Sequence, residues 1–482
     1  LGLVGSEMCI RDSWWIACVA FLWGLLLGWV SAAPAGPETH VQVPLMRRNS
    51  PSQGGDLFTW ANAERDRLRG KYGIGHDPPE RHHLHARAPQ GLPMLNFAHD
   101  GMWVTTVQVG TPPKPYKVVI DTGSSDMWLK TGDYKPKESH SFQDLHQDFN
   151  AKYASGEVSG HVVSDTVQLG SLNTRQSFAL VSNVSNNILA PGVSGILGFG
   201  FTGLARIHSL PFWENAKLPA PLFSLYVKRQ EMGSQDQDDG GVFTLGGMNH
   251  SLFQGEVSYA AVTPPSPPRY WSIPLNGMHV QGHSLDLKAP QNAAIDSGTT
   301  LIGGPQEAVE QFYSRIPGSG PVRESPGYYA YPCSATVNLS MAFVGRMFQI
   351  NDIDFQVQVV APAGADASSD GPNAPQAPSG GDTPIDPGSA QCLGAVFSLG
   401  PKSMSGIQWI VGDTFLKNVY TVFRADKPHQ VGFAALADGL NSGTVSTPYS
   451  QRLSAAPQTA APQHAAALAA AFALTLGIVL RI

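Results

Sequence analysis

The chain is poor in charge and almost without usable cysteine. Charged residues make up 14% of the 482 positions, against about a quarter in an average soluble domain. Lys and Arg number 31 and Asp and Glu 37, a formal net charge of −6. No basic stripe is present, which argues against a nucleic-acid partner, because such binding draws on phosphate counterion release by clustered cations. The 4 cysteines are too few for a disulfide-dense scaffold. No G-x-S-x-G and no H-E-x-x-H occurs, so the serine-hydrolase and zinc-peptidase chemistries lack their motifs. Long apolar runs are confined to the two ends.

What is abundant points to strands. Gly (51) and Pro (38) punctuate runs of Val, Thr, Ser and Tyr, the pattern of many short strands rather than long helices. The length predicts two or more lobes, each around a sizeable core.

The ends carry export signals. LVGSEMCIRDS (3–13) resembles a translated sequencing adapter and is set aside. WWIACVAFLWGLLLGWV (14–30) and the small residues after it read as a secretory signal peptide cleaved after Ala32, a retained signal anchor being the alternative. At the other end, small residues at 454–456, the spacer PQTAAPQH and the apolar run 465–480 have the layout of a GPI-attachment signal. Ser454 is the candidate attachment residue, and an unstructured Ala-rich tail the alternative. These signals place the protein in the secretory pathway, at the cell surface, in the cell wall or outside the cell. Cys9 and Cys18 fall in the first 32 residues, leaving Cys333 and Cys392, and two cysteines in a secreted chain most simply form one disulfide. Asn183, Asn249 and Asn338 open N-x-S sequons.

Residues 33–94 differ from the rest. They hold 8 Lys and Arg, 6 Asp and Glu and 5 His, ahead of a net acidic body. Acid would charge the histidines and neutralise body carboxylates, weakening an electrostatic clamp from both sides. The segment reads as an inhibitory propeptide, with a disordered spacer as the alternative. Its HHLH cluster (82–85) reads as a solvated patch, not a metal site.

The most informative stretch is VVIDTGSSDMWL (118–129): Asp121 follows three apolar residues and precedes a small turn. A charge in such a frame is costly unless paired or used. AAIDSGTTLIGG (293–304) repeats it around Asp296. Each copy has a distant apolar-apolar-Gly partner, SGILGFG (194–200) and QWIVGDTFL (408–416). One D-[ST]-G means little; two in matching frames imply related halves that each contribute an aspartate.

With these residues in view the chain resembles the pepsin-like aspartic proteases over most of 95–436. VQVGTPPKPYKVVIDTGSS (107–125), KYASGEVSGHVVSDTVQLG (152–170), FTLGGMN (243–249), YWSIPLNGMHV (270–280) and NVYTVFRADKPHQVGFA (418–434) also match. Together with the export signals and the pro-segment, the chain looks most like the fungal secreted or GPI-anchored (yapsin-type) branch. The resemblance implies a mostly β, bilobal fold with a central cleft, N-terminal lobe 95–270 and C-terminal lobe 271–440. The tail 441–482 reads as a Ser/Ala/Pro stalk and anchor signal.

The resemblance also assigns roles. Asp121 and Asp296 are the catalytic pair, sharing one proton and activating a water, with no metal and no cofactor. Gly123 and Gly298 donate backbone N–H groups to them. Thr122 and Ser297 cross-link the two loops, and Ser124 and Thr299 bond the outer carboxylate oxygens. Thr300 touches the substrate main chain. Tyr153, with Gly156 at the bend, caps a flap and reaches Trp128. Lys71 and Tyr72 block the cleft in the zymogen. Residues 361–390, rich in Pro, Ala, Gly, Ser and Asp, form a disordered insertion. The acidic stretch SQDQDDGG (234–241) reads as a solvated turn. The implied function is an aspartic endopeptidase, made as an acid-activated zymogen and acting on proteins and peptides, presumed from the family to work as a monomer. The rival readings are a catalytically silent peptide- or glycan-binding protein of the same fold and a cell-wall structural protein.

Overall fold

The computed structural model describes 102–153, 156–184, 188–229, 237–263, 267–288, 291–360, 390–400 and 406–440, the backbone of 41–43 and 90–97, and helical residues 61, 62, 64, 65, 68 and 69. Side chains of 152–157, 237–238 and 359–360 fall outside this description. So do Lys71, Tyr72, Ser454, the insertion 361–389 and both terminal export signals. All described residues belong to the compact unit that starts at His40.

Strands dominate, as composition predicts. The largest sheet has 14 strands and a second has 5. In the first half, Lys114–Asp121 lies parallel to Gly195–Gly198, with Asp121 opposite Gly198. Gly195–Gly198 in turn runs antiparallel to Met127–Lys130. In the second half, Gln291–Ile295 lies parallel to Trp409–Val411, which runs antiparallel to Ile302–Gly304. Each half thus inserts a strand from far along the chain between the two arms of an aspartate-bearing loop. The two apolar-apolar-Gly stretches are those inserted strands. Glycine is required where they pass: a Cβ on Gly198 would lie 2.4 Å from the Ser125 carbonyl carbon, and one on Gly412 2.1 Å from the Thr299 oxygen.

The halves are joined by shared strands. Leu222–Val227 of the first half pairs with Tyr420–Arg424 of the second, and Phe253–Ala261 pairs with Gln430–Leu436. This is the two-lobed, mostly β architecture the sequence implies. Below it, an aromatic group of Phe199, Phe201, Trp213, Phe223, Trp271 and Phe423 packs with centroid separations of 4.2 to 6.1 Å.

One ion cluster is buried. Asp354 accepts from Arg229 Nε at 2.8 Å, Lys417 Nζ at 2.7 Å and Asn418 Nδ2 at 2.9 Å. Burial pushes this carboxyl up, but Lys417 and Arg229 outweigh it and hold the group below its usual range. Cys333 and Cys392 form the expected disulfide.

Part of 33–94 packs on the body. Ala61 and Leu68 are fully buried, at the spacing of one helix face. Asn62 Nδ2 donates to the Glu324 carbonyl at 3.0 Å, Arg69 Nε to that of Leu399 at 2.9 Å, and Arg65 to that of Pro326. The backbone of Val41–Val43 pairs antiparallel with Phe243–Leu245. These described parts are therefore docked, not a spacer. The boundary drawn at Met94 falls inside the strand Gln90–Phe97.

Two smaller expectations are corrected. Residues 237–241 lie in the strand Gln237–Leu245 rather than a free turn, and Asp239 there pairs with Lys228 at 3.3 Å. Asn249 is buried, its Oδ1 accepting from Ser251 N at 3.0 Å and Ser251 Oγ at 2.7 Å. It caps a short helical turn, and its burial argues against a sugar at this position. Asn183 and Asn338 are exposed.

Candidate active site

Asp121 ends one strand and Asp296 follows another, and both are buried at the junction of the halves. The surroundings of the two carboxylates match bond for bond. Gly123 N donates to Asp121 Oδ1 at 3.0 Å and Gly298 N to Asp296 Oδ1 at 2.9 Å. Ser124 Oγ donates to Asp121 Oδ2 at 2.6 Å and Thr299 Oγ1 to Asp296 Oδ2 at 2.5 Å. Bonds of this kind fix the plane of each carboxylate.

The loops are locked together at their base. Thr122 Oγ1 donates to the Ile295 carbonyl at 2.9 Å and accepts from Ser297 N at the same distance. Reciprocally, Ser297 Oγ donates to the Ile120 carbonyl at 3.0 Å and accepts from Thr122 N at 3.2 Å. Serine in place of a second threonine leaves these bonds intact, since only the hydroxyl takes part. The halves approach so closely that a Cβ on Gly298 would lie 2.2 Å from Asp121 Oδ1. Two carboxylates from distant parts of the sequence are thereby held at one spot.

Thr300 is buried beside Asp296, with its Oγ1 unpartnered among the described residues. Its carbonyl accepts from Thr414 N and Oγ1 at 2.9 and 3.0 Å. Trp128 is fully buried in its strand. Tyr153 and Gly156 face each other across the end of a long antiparallel hairpin. The Tyr153 side chain lies outside the described residues, so its reach to Trp128 stays an expectation.

Two contributors escaped the sequence reading. Trp271 Nε1 donates to the Phe199 carbonyl at 2.8 Å, and Phe199 N donates to the Asp121 carbonyl at 2.7 Å. The Trp271 carbonyl accepts from Ile295 N at 3.0 Å, one residue before Asp296. One tryptophan thus touches the supports of both aspartates. Tyr270 continues the same register, in which Ser272 faces Ala294, and so comes opposite Asp296. The only signal for either was the aromatic pair opening YWSIPLNGMHV.

A third is Asp126, five residues after Asp121. It accepts from Arg206 N at 2.9 Å and Ile207 N at 3.1 Å. Burial pushes its carboxyl up to about 6, against the opposing pull of those N–H groups and of the Arg206 and His208 charges.

Comparison with known proteins agrees with this geometry. The eukaryotic aspartyl protease family matches residues 102–370. Major aspartyl peptidase 1 of Cryptococcus neoformans var. grubii is 32% identical, covering 73% of this chain and 72% of its own. Pepsin A of Sus scrofa is 27% identical, covering 86% of this chain and 100% of its own. The vacuolar aspartic protease of Candida albicans is 27% identical, covering 71% and 77%. The chain belongs to the eukaryotic aspartyl protease family and is a pepsin-like aspartic endopeptidase.

Proposed function

We propose that Asp121 and Asp296 form the catalytic dyad and hydrolyse peptide bonds without a covalent intermediate. Two carboxylates this close share one proton, and the pair titrates in two steps. The ionised member takes a proton from a water held between them. The protonated member donates to the scissile carbonyl oxygen as the water attacks its carbon. The product is a tetrahedral diol that collapses with expulsion of the amine. The observation that carries this reading is the matched pair of carboxylate environments, cross-linked through Thr122 and Ser297. Thr300, with its unengaged hydroxyl, suits a substrate main-chain contact. Tyr153, Gly156 and Trp128 belong to the flap side, whose closure excludes water and aligns the peptide.

Residues 33–94 serve as the propeptide, with Lys71 and Tyr72 blocking the cleft. The docked helical residues around 61–69 support this, because they fix the chain two residues before Lys71. The lobes 95–270 and 271–440, surface anchoring through Ser454 and passage through the secretory pathway complete the reading. The test is acid activation followed by a peptide-library digest, beside Asp121→Asn and Asp296→Asn. Cleavage lost in both variants and blocked by a statine-type inhibitor is expected. Cleavage surviving either variant overturns the dyad, and a folded, processed protein that cuts nothing points to a binding protein.

A further inference from the structure

Two arginines near the candidate dyad have no anionic partner among the described residues. Arg269 is half-buried, and its Nε is buried with no hydrogen-bond acceptor among the described residues. Arg206 is exposed, and its backbone, not its guanidinium, meets Asp126. The two are brought together by the loop after Gly195–Gly198: a Cβ on Gly203 would lie 3.2 Å from the Pro268 carbonyl and 3.5 Å from Arg269 Cγ. Tyr270 follows Arg269 and, by continuation of the strand register, lies opposite Asp296. The charges of Arg269, Asp296 and Arg206 all act on its hydroxyl. Asp126, which accepts from the Arg206 and Ile207 backbone N–H groups, and His208 are further titratable groups near Arg206.

A half-buried guanidinium that lacks a carboxylate is costly, because its N–H groups have given up water without replacement. A chain that carries only 31 basic residues in 482 has two of them near the candidate dyad without an ion pair among the described residues. Resting on the dyad reading above, we propose that Arg269 and Arg206 form an acidic-side-chain subsite, so that the protease prefers peptides with Asp or Glu close to the scissile bond on the Tyr270 side. Arg269 supplies the sheltered, directional contact, and Arg206 supplies field and steering from the rim.

The substrate carboxylate must be ionised to be recognised. The preference therefore holds above about pH 5 and fades below about pH 4, where Asp and Glu side chains take up protons. A purely structural role for either arginine gives no such pH dependence.

The experiment uses the acid-activated protein and paired peptides with Glu or Gln at each position flanking one scissile bond. The readout is the ratio of kcat/KM, Glu over Gln, at pH 5.5 and pH 3.5. At one or more positions the wild-type ratio is expected to be about tenfold at the higher pH and near unity at the lower. Arg269→Gln is expected to bring the higher-pH ratio close to unity, Arg269→Lys to restore part of it, and Arg206→Gln to lower it by about twofold to threefold. Arg206 is exposed, so its variant serves if Arg269→Gln does not fold. A protein that cuts Glu and Gln peptides alike, or whose preference survives both Gln variants, overturns the subsite alone. A protein that cuts neither overturns the dyad reading and the subsite with it.

Discussion

Asp126 makes the pH range of stability testable at a single atom pair. Its carboxyl is pushed up to about 6 from an ordinary 3.8. A folded-state pKa raised above the unfolded one contributes stability that is complete below the unfolded value. That stability is lost as pH rises through the folded value. The window is therefore about pH 4 to pH 6. A shift of about 2 units corresponds to about 3 kcal/mol, a large part of a typical domain's margin. Asp126→Asn removes the charge to desolvate but offers one acceptor where two backbone N–H groups need one each, so the quantity to read is how its stability difference from the parent changes with pH. Both proteins should carry Asp121→Asn to prevent self-digestion, and urea midpoints should be followed from pH 4 to pH 7. Between pH 4 and pH 7 the parent is expected to lose about 3 kcal/mol relative to Asp126→Asn, whatever their difference at pH 4. Parallel curves across that interval would refute the reasoning. They would show that the N–H groups of Arg206 and Ile207 outweigh burial and keep the carboxylate ionised throughout.

Asp354 should show the opposite sign: its pKa is held down, so its contribution is present above the unfolded value and lost as pH falls through the folded one. Lys417→Met leaves the Asp354–Arg229 contact but removes one buried cation, and a loss of about 3 kcal/mol is expected in urea unfolding at pH 6. Gly298→Ala drives a methyl into Asp121 Oδ1; kcat should fall at least about a hundredfold with a cooperative melt retained, because a misplacement of about 1 Å has that effect. Replacing Cys333 and Cys392 by Ala opens the disulfide-closed loop, with a sequence separation of 59; a loss of about 4 kcal/mol is expected in denaturant midpoint analysis.

How much of this was readable beforehand depends on the range of the contact. The two D-[ST]-G loops and their inserted partner strands rest on a local pattern that recurs, and the disulfide on the two cysteines left once the first 32 residues are set aside; all sit where expected. Thr122 and Ser297 were readable through the family resemblance, which assigns the residue after each aspartate to the loop cross-link. Trp271 was not, since its partners lie 72 residues back and in the loop before Asp296. The Asp354 cluster joins residues 125 and 64 positions apart with no motif to announce them. Asn249 matched a sequon by spelling, while its burial depends on Tyr420, whose hydroxyl accepts from the Asn249 backbone N–H at 2.7 Å. The helical part of 33–94 was masked by composition: a charge-rich stretch reads as solvated, yet Ala61 and Leu68 bury one face while Arg65 and Arg69 reach carbonyl groups.

The chemistry of the loop cross-links bears on how such a site works in acid. The bonds that join the two aspartate loops at their base run between hydroxyls, backbone N–H groups and carbonyls. None of these groups titrates between pH 2 and 7, so that geometry does not change as protons are added. Had the loops been tied by carboxylate–ammonium pairs, acid would loosen them in the range where the shared proton is needed. The groups left to respond to pH near the centre are the carboxylates themselves and, five residues on, Asp126. Asp126 is stabilising when protonated, and under the mechanism we propose the dyad works when it holds one proton. Both therefore favour acid, which makes loss of activity and loss of first-half packing on raising the pH separable: Asp126→Asn should extend the range over which the protein stays folded while leaving the alkaline limb of the pH–rate profile where the dyad sets it.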